Sequence, residues 1–345
     1  MQKGITMLKY ILGILAVLLL IAGCAPKEMP PAPQEQMPPP PAEDALLPPP
    51  QEPVLPEGVP PPMQSRGPAV KEAPVMPWKY GGIAIPGQYA DAEIVQVEPG
   101  KYRMYYSAEP EVPNFKGQIY SAVSTDGKTW GRESGERMKW ATFPSVIKLD
   151  DGKYRIYYQN AGAIKSALSS DGLSWQEESG TRMDTANNAG MALDNVAAPT
   201  VMKTGSVYVM VYRGDINEKY PAEVPNQNTQ LFLWATSSDG LSFEKKGIAL
   251  DSRNEEFSGL LDGCELVQWD DGARLYFWSY SGVYHSSFDG TKFSEVEFDY
   301  STAEDTNMKF YPNPPGDPSL MKINSKWLMY YGQHTKGIYY AELDE

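Results

Sequence analysis

The 345-residue chain is poor in the residues that carry metal and redox chemistry, with 2 cysteines and 2 histidines. Cys24 sits in the N-terminal leader, so Cys264 is left alone and no disulfide can form within the folded part. His285 and His334 are too few for a zinc site of the Cys/His kind. Positive charge is scarce as well: 30 Lys and Arg stand against 44 Asp and Glu, for a net charge of −14. Nucleic-acid phosphates demand a basic surface, so no nucleic-acid partner is expected. A Ser-His-Asp triad is not excluded by counting, but no serine has nucleophile-elbow spacing. The one long apolar run, Tyr10 to Ile21 with Gly13 inside it, falls short of the about 20 residues a membrane-spanning helix needs.

That run has another use. Lys3 and Lys9 precede it, and Leu20-Ile21-Ala22-Gly23-Cys24 ends it, which is the build of a signal peptide. The ending resembles the bacterial lipobox. The resemblance implies a diacylglyceryl group on the Cys24 thiol and cleavage before it, making residues 1–23 a lipoprotein signal peptide. An uncleaved N-terminal anchor helix is the alternative. Both readings put the protein on a cell membrane or outer membrane, facing the extracytoplasmic side. Residues 24–77 follow as a tether, since 19 of the 31 prolines lie between residues 25 and 77. Such a stretch favours extended polyproline II, a semi-rigid spacer of about 3.1 Å per residue. A ligand for a proline-reading domain is the other reading of that composition.

Residues 78–345 are repetitive. Ser124-Thr125-Asp126-Gly127-Lys128-Thr129-Trp130 recurs as Ser169-Ser170-Asp171-Gly172-Leu173-Ser174-Trp175 and as Ser237-Ser238-Asp239-Gly240-Leu241-Ser242-Phe243. A weaker copy runs from Ser287 to Phe293. Each Asp-Gly suits a tight turn between strands. A second repeat, Gly100 to Tyr106, matches Gly152 to Tyr158, with related strands at 207–212, 273–280 and 326–331. The unit is strand, turn, strand, loop, strand, Asp-Gly turn, strand. Repeated five times it predicts an all-β, five-bladed propeller of four-stranded antiparallel blades. The fifth copy lacks its last strand. Trp78 to Ile85 aligns with Phe243 to Leu250, so an N-terminal strand is expected to complete the last blade and remove the open edges. A β-sandwich would explain neither the fivefold count nor the displaced strand.

The turns within each unit are short on one side. On the other side the connections are long, at 109–117, 184–195, 214–229, 251–263 and 299–316. A scaffold face and a loop face are thereby predicted, with function on the loops.

The inner strands begin Asp91-Ala92-Glu93, Phe143-Pro144-Ser145, Ala198-Pro199-Thr200, Gly263-Cys264-Glu265 and Asp317-Pro318-Ser319. These starts, followed by strands such as Gly152-Lys153-Tyr154-Arg155-Ile156-Tyr157-Tyr158, resemble the five-bladed propeller glycoside hydrolases of family 43 and the related families 32 and 68. The resemblance spans residues 78–345 and rests on short motifs. It implies three carboxylates at the mouth of the central hollow: a base or nucleophile in blade 1, an orienting Asp in blade 3 and an acid in blade 4. Glycoside cleavage needs one carboxylate charged and one protonated. Carried over, the catalytic candidates are Asp91, Asp194, Asp262 and Glu265. Asp194 lies four residues before the family's position, which Ala198 fills, and Asp262 stands where the family has Glu. Propeller symmetry is expected to bring Asp91 and Glu265 toward one axis.

Glu93, Arg213, Asp317, His334 and Trp140 are the substrate-binding candidates, Arg213 as a clamp and Trp140 as a stacking surface. Tyr220 and Tyr311 are further stacking candidates. Asp91 and Asp317 have a plainer reading, as caps on turn amides, and Arg103 and Arg155 read as structural ion pairs. No cofactor and no metal ligand set is called for, and a central calcium ion is left open. A carbohydrate partner, the membrane and a monomeric state are expected. The sequence supports two functions: an anchored glycosidase acting on extracellular polysaccharide or oligosaccharide, and a non-catalytic propeller that binds glycan or protein.

Overall fold

A computed structural model describes residues 77–343, apart from 187, 189, 227 and 304–307. The leader, Cys24 and the tether up to residue 76 lie outside the described residues. Those described form strands, turns and loops, with no helix long and apolar enough to cross a membrane.

The strand β1 (Trp78–Pro86) comes first. Blade 1 is β2 (Tyr89–Glu98), β3 (Lys101–Ala108), β4 (Gln118–Ser124) and β5 (Gly131–Arg132), with β6 (Met138–Lys139) also on β4. Blade 2 is β7 (Thr142–Lys148), β8 (Tyr154–Asn160), β9 (Ala163–Ser169) and β10 (Gln176–Glu177). Blade 3 is β11 (Leu193–Thr204), β12 (Val207–Lys219), β13 (Asn228–Ser237) and β14 (Glu244–Leu250). Blade 4 is β15 (Asp262–Trp269), β16 (Gly272–Ser279), β17 (Gly282–Phe288) and β18 (Phe293–Tyr300). Blade 5 is β19 (Gly316–Ile323), β20 (Lys326–Gln333) and β21 (Gly337–Leu343), and its fourth strand is β1, paired antiparallel from Trp78 with Leu343 to Pro86 with Gly337. The architecture is the predicted all-β propeller of five blades.

The repeated turn is built by its own side chains. Ser124 Oγ accepts from the Gly127 N–H, and Asp126 Oδ1 accepts from the N–H groups of Lys128 and Thr129. The copies at Ser169/Asp171 and Ser237/Asp239 repeat these bonds. The amides hold the three aspartates down to about 2.

The same turns latch the blades together. Tyr105, Tyr157 and Tyr330 occupy one position of the repeat, and their hydroxyls donate to the carbonyls of Gly172, Gly240 and Gly127 at 2.7, 2.8 and 2.7 Å. Each bond crosses to the next blade. The aromatic residue that closes each turn motif packs edge-on against the same tyrosines: Trp175 on Tyr105, Phe243 on Tyr157, Trp130 on Tyr330. Trp78 meets Tyr276 of blade 4 in the same way, at 6.4 Å and 89°. Gly172 must be glycine here. Its φ is +70°, and a Cβ would come within 2.6 Å of Arg103 and Tyr105 side-chain atoms.

Arg103 and Arg155 are structural. Each holds a glutamate with two hydrogen bonds, Glu133 at 2.8 and 3.0 Å and Glu178 at 2.9 and 3.0 Å. This explains why the outer strands of blades 1 and 2 are two residues long instead of full strands. Beyond them Glu133 and Glu178 each make one more backbone bond, to the Ser121 and Ser166 carbonyls at 2.9 Å, and turn their side chains inward to the same serines and the arginines.

Candidate active site

The inner strand of every blade carries a break in register at one place, between Ala90 and Glu93, Thr142 and Ser145, Ala197 and Thr200, Asp262 and Cys264, and Gly316 and Ser319. The residue at the break is left-handed in all five: Asp91 (φ 54°), Phe143 (50°), Ala198 (44°), Gly263 (38°) and Asp317 (49°). Such bulges re-aim side chains, and non-glycine residues rarely adopt this φ. Asp91, Gly263 and Asp317 are therefore equivalent. Glu265, two residues further on, is equivalent to Glu93.

The bulge level reaches both the loop face and the axis, and the level two residues further on faces only the axis. The bulge residues Asp91, Phe143 and Asp317 line a cavity of about 680 Å³ on the loop face. The residues two places on point toward the axis, where four of the five cap the next blade. Glu93 Oε1 accepts the Val146 N–H at 2.8 Å, Ser145 Oγ that of Val201 at 3.0 Å, Thr200 Oγ1 that of Leu266 at 2.8 Å, and Glu265 Oε2 that of Leu320 at 2.8 Å. Glu93 and Glu265 border a narrow axial hollow of about 20 Å³, room for about one water. Asp91 and Glu265 both border this hollow, as expected, although they are two residues out of register and Glu265 does not line the large cavity.

Asp91 and Asp317 come from adjacent blades and both line the cavity. Burial pushes Asp91 up to about 6, aided by the charges of Asp262 and Glu109 and opposed by the Ser107 hydroxyl and the Phe143 N–H. Burial holds Asp317 well above the carboxylate range, the charges of Asp91 and Asp262 add to this, and Trp278 and Arg213 oppose it. Trp278 Nε1–H donates to Asp317 Oδ1 at 3.1 Å. Asp317 also lies so close over Gly263 that a Cβ there would meet Oδ1 at 1.9 Å, so this site needs the glycine. In the axial hollow, burial raises Glu265 to about 8, against the Ser319 hydroxyl and the Leu320 N–H. Glu93 is driven well up by burial and by the charge of Glu265.

The remaining candidates divide. Asp262 is held by Arg213, which also reaches Asp215 at 3.0 Å. Burial disfavours the guanidinium charge, but Asp262 and Asp215 outweigh it and raise the arginine's pKa. Arg213 is occupied by these two acids and does not line the cavity, so it is not free to clamp a sugar. Asp194 is exposed, at a register break of β11, and lines neither space, because Ala198 holds the blade 3 bulge. Trp140, 61% exposed at the rim, and His334 both line the large cavity. Tyr220 and Tyr311 do not; their hydroxyls donate to the carbonyls of Asn254 and Thr302.

Trp278, Phe115 and Asn160, which sequence reasoning missed, complete the wall. Trp278 had a signal. It stands just after an aromatic residue of the second strand, where the other blades have Ser107, Gln159, Arg213 and Gly332, and of these Gln159 and Gly332 line the cavity too.

No family model matches the chain, and no curated protein is similar to it in sequence. Among solved structures it is similar to a thermostable family-43 glycoside hydrolase, at 12% identity and TM-score 0.58 over 76% of this chain and 90% of that one. It is similar to Zg3597, a family 117 glycoside hydrolase of the marine bacterium Zobellia galactanivorans, at 14% identity and TM-score 0.55, covering 77% and 89%. It is also similar to a structure from the GH130 family of mannoside phosphorylases, which contains glycoside hydrolases that target β-1,2 mannosidic linkages in Candida mannan. There the identity is 15% and the TM-score 0.56, covering 74% and 84%. The chain shares the fold of the five-bladed propeller glycoside hydrolases.

Proposed function

We propose that this chain is a lipid-anchored, extracytoplasmic glycosidase that cleaves a polysaccharide or oligosaccharide at the floor of the large cavity. One observation carries the reading. Asp91 and Asp317, from adjacent blades, both line a cavity of about 680 Å³ with tryptophans in its wall, and burial raises the pKa of each. Two carboxyl groups in unlike settings are what acid–base cleavage of a glycoside uses. Asp91, raised only to about 6, is placed to act as base or nucleophile. Asp317, which burial and the charges of Asp91 and Asp262 push toward its protonated form, is placed to protonate the leaving oxygen. Trp140 and Trp278 offer apolar faces to sugar rings. The fold shared with family 43, 117 and 130 proteins supports a carbohydrate substrate.

Arabinan, xylan, fructan and mannan oligosaccharides would be screened with the parent, Asp91→Asn and Asp317→Asn. Each variant is expected to lose about 10²–10⁴-fold in turnover. The rate should fall below about pH 6, as Asp91 takes up a proton. Turnover that survives both substitutions would overturn the assignment.

A second reading rests on Arg213 and Ala198. The first neutralises the blade 4 acid Asp262, and the second leaves the blade 3 bulge without a carboxylate. Binding of a glycan by the parent without turnover, lost in Asp91→Asn, would establish this non-catalytic form.

A further inference from the structure

A separate cluster stands on the cavity rim. Glu109 and Glu111 lie on the loop after β3 in blade 1, and His334 lies just after β20 in blade 5. One ligand atom from each falls within 4.8 Å of the others. His334 Nδ1 is 3.6 Å from Glu109 Oε1, and its Nε2 is 3.6 Å from Glu111 Oε1. Those distances are too long for hydrogen bonds. The two nitrogens lie on different sides of the ring, so one ion would take one of them, with one carboxylate close to the about 3.4 Å ligand spacing of a tetrahedral site with bonds of about 2.0–2.1 Å and the other within 4.8 Å.

A second observation calls for a cation at this place. The Glu109 side chain is only 4% exposed, and its two oxygens share one donor, the Thr335 N–H, at 3.1 and 2.9 Å. Glu133 and Glu178, which are less buried, each face an arginine. No lysine or arginine pairs with Glu109 among the described residues, and a buried carboxylate without a counter-charge is costly.

We propose that Glu109, Glu111 and His334 form a divalent-cation site joining blade 1 to blade 5 at the mouth of the cavity. One imidazole nitrogen with two carboxylates suits Zn²⁺ or Mn²⁺ better than Ca²⁺, which favours a shell of oxygens. Three protein ligands leave coordination positions open. Glu109 and His334 line the cavity, so those positions can take water or a pair of sugar hydroxyls.

The test needs no sugar, so it stands apart from the glycosidase reading. Protein stripped by a chelator would be titrated with Zn²⁺, Mn²⁺ and Ca²⁺ by calorimetry and melted with and without each ion. One equivalent of Zn²⁺ or Mn²⁺ should bind, more tightly than Ca²⁺. It should raise the melting temperature by about 5–10 °C at 100 times its Kd. Glu111→Gln and His334→Ala change exposed side chains, so the fold should persist while affinity falls at least about tenfold. Absence of a one-equivalent site, or unchanged affinity in both variants, would overturn the proposal. So would a melting temperature that follows pH through the histidine range equally with and without metal, because protonated His334 would then be the counter-charge.

Discussion

Glu265 shows how much one position in the repeat decides. At the bulge it would have been a cavity acid. Two residues later it is an axial group that caps Leu320 and faces Glu93 across a hollow with room for about one water. Its folded pKa, about 8, lies above that of a free glutamate, so the folded state holds the proton more tightly. The stability gained this way is fully present below about pH 4.5 and is lost as pH rises to about 8. Glu93 acts in the same direction. Glu265→Gln removes the titration and keeps an oxygen for the Leu320 N–H. Its urea stability should gain on the parent between pH 5 and pH 8.5, by on the order of 2–4 kcal/mol. Parallel curves for the two proteins would show that the pair does not titrate in this range.

At the scale of elements, the turn motifs serve two purposes. They reverse the chain, and they offer a glycine carbonyl to a tyrosine of the neighbouring blade. Tyr157→Phe keeps the ring against Phe243 but leaves the Gly240 carbonyl without its partner. A loss of about 1–2 kcal/mol in urea denaturation is expected. No loss would mean that the hydroxyl adds nothing to the ring packing and the other bonds that join those blades. The turns were legible in the sequence because their chemistry is local: Ser124, Asp126 and Gly127 lie within four residues and bond to one another's backbone. The bulges were not. Asp, Phe, Ala, Gly and Asp share no side-chain property, and their common φ follows from sheet register. The Arg213–Asp262 pair was hidden for a related reason, since it joins residues 49 apart on different blades. The short outer strands of blades 1 and 2 were hidden too, because the inward turn of Glu133 and Glu178 is settled by distant arginines.

At the scale of the molecule, the first described strand serves the last blade. Removing residues up to 87 would strip β1 from β21 and bare an edge that ends in Ile338, Tyr339 and Tyr340. A chain beginning at residue 88 is expected to aggregate or to melt without cooperativity. Melting like the parent would show that β1 is dispensable. The anchor is tested at the other end of the same segment: Cys24→Ser should accumulate as soluble or unprocessed protein. A variant that stays membrane-bound at mature size would rule out lipidation at that thiol.

The five left-handed bulges have a consequence for how such a protein can change. Each is a socket whose geometry is held by the strands beside it, whatever side chain occupies it. Aspartate, phenylalanine, alanine and glycine all stand in these sockets with φ between 38° and 54°. The occupants can therefore be exchanged while the ring that presents them stays the same. A substitution at Phe143 would rewrite the floor of the cavity, and one at Ala198 the wall of the axial hollow, without rebuilding the fold. Gly263 is the exception, because Asp317 already fills the space its side chain would need.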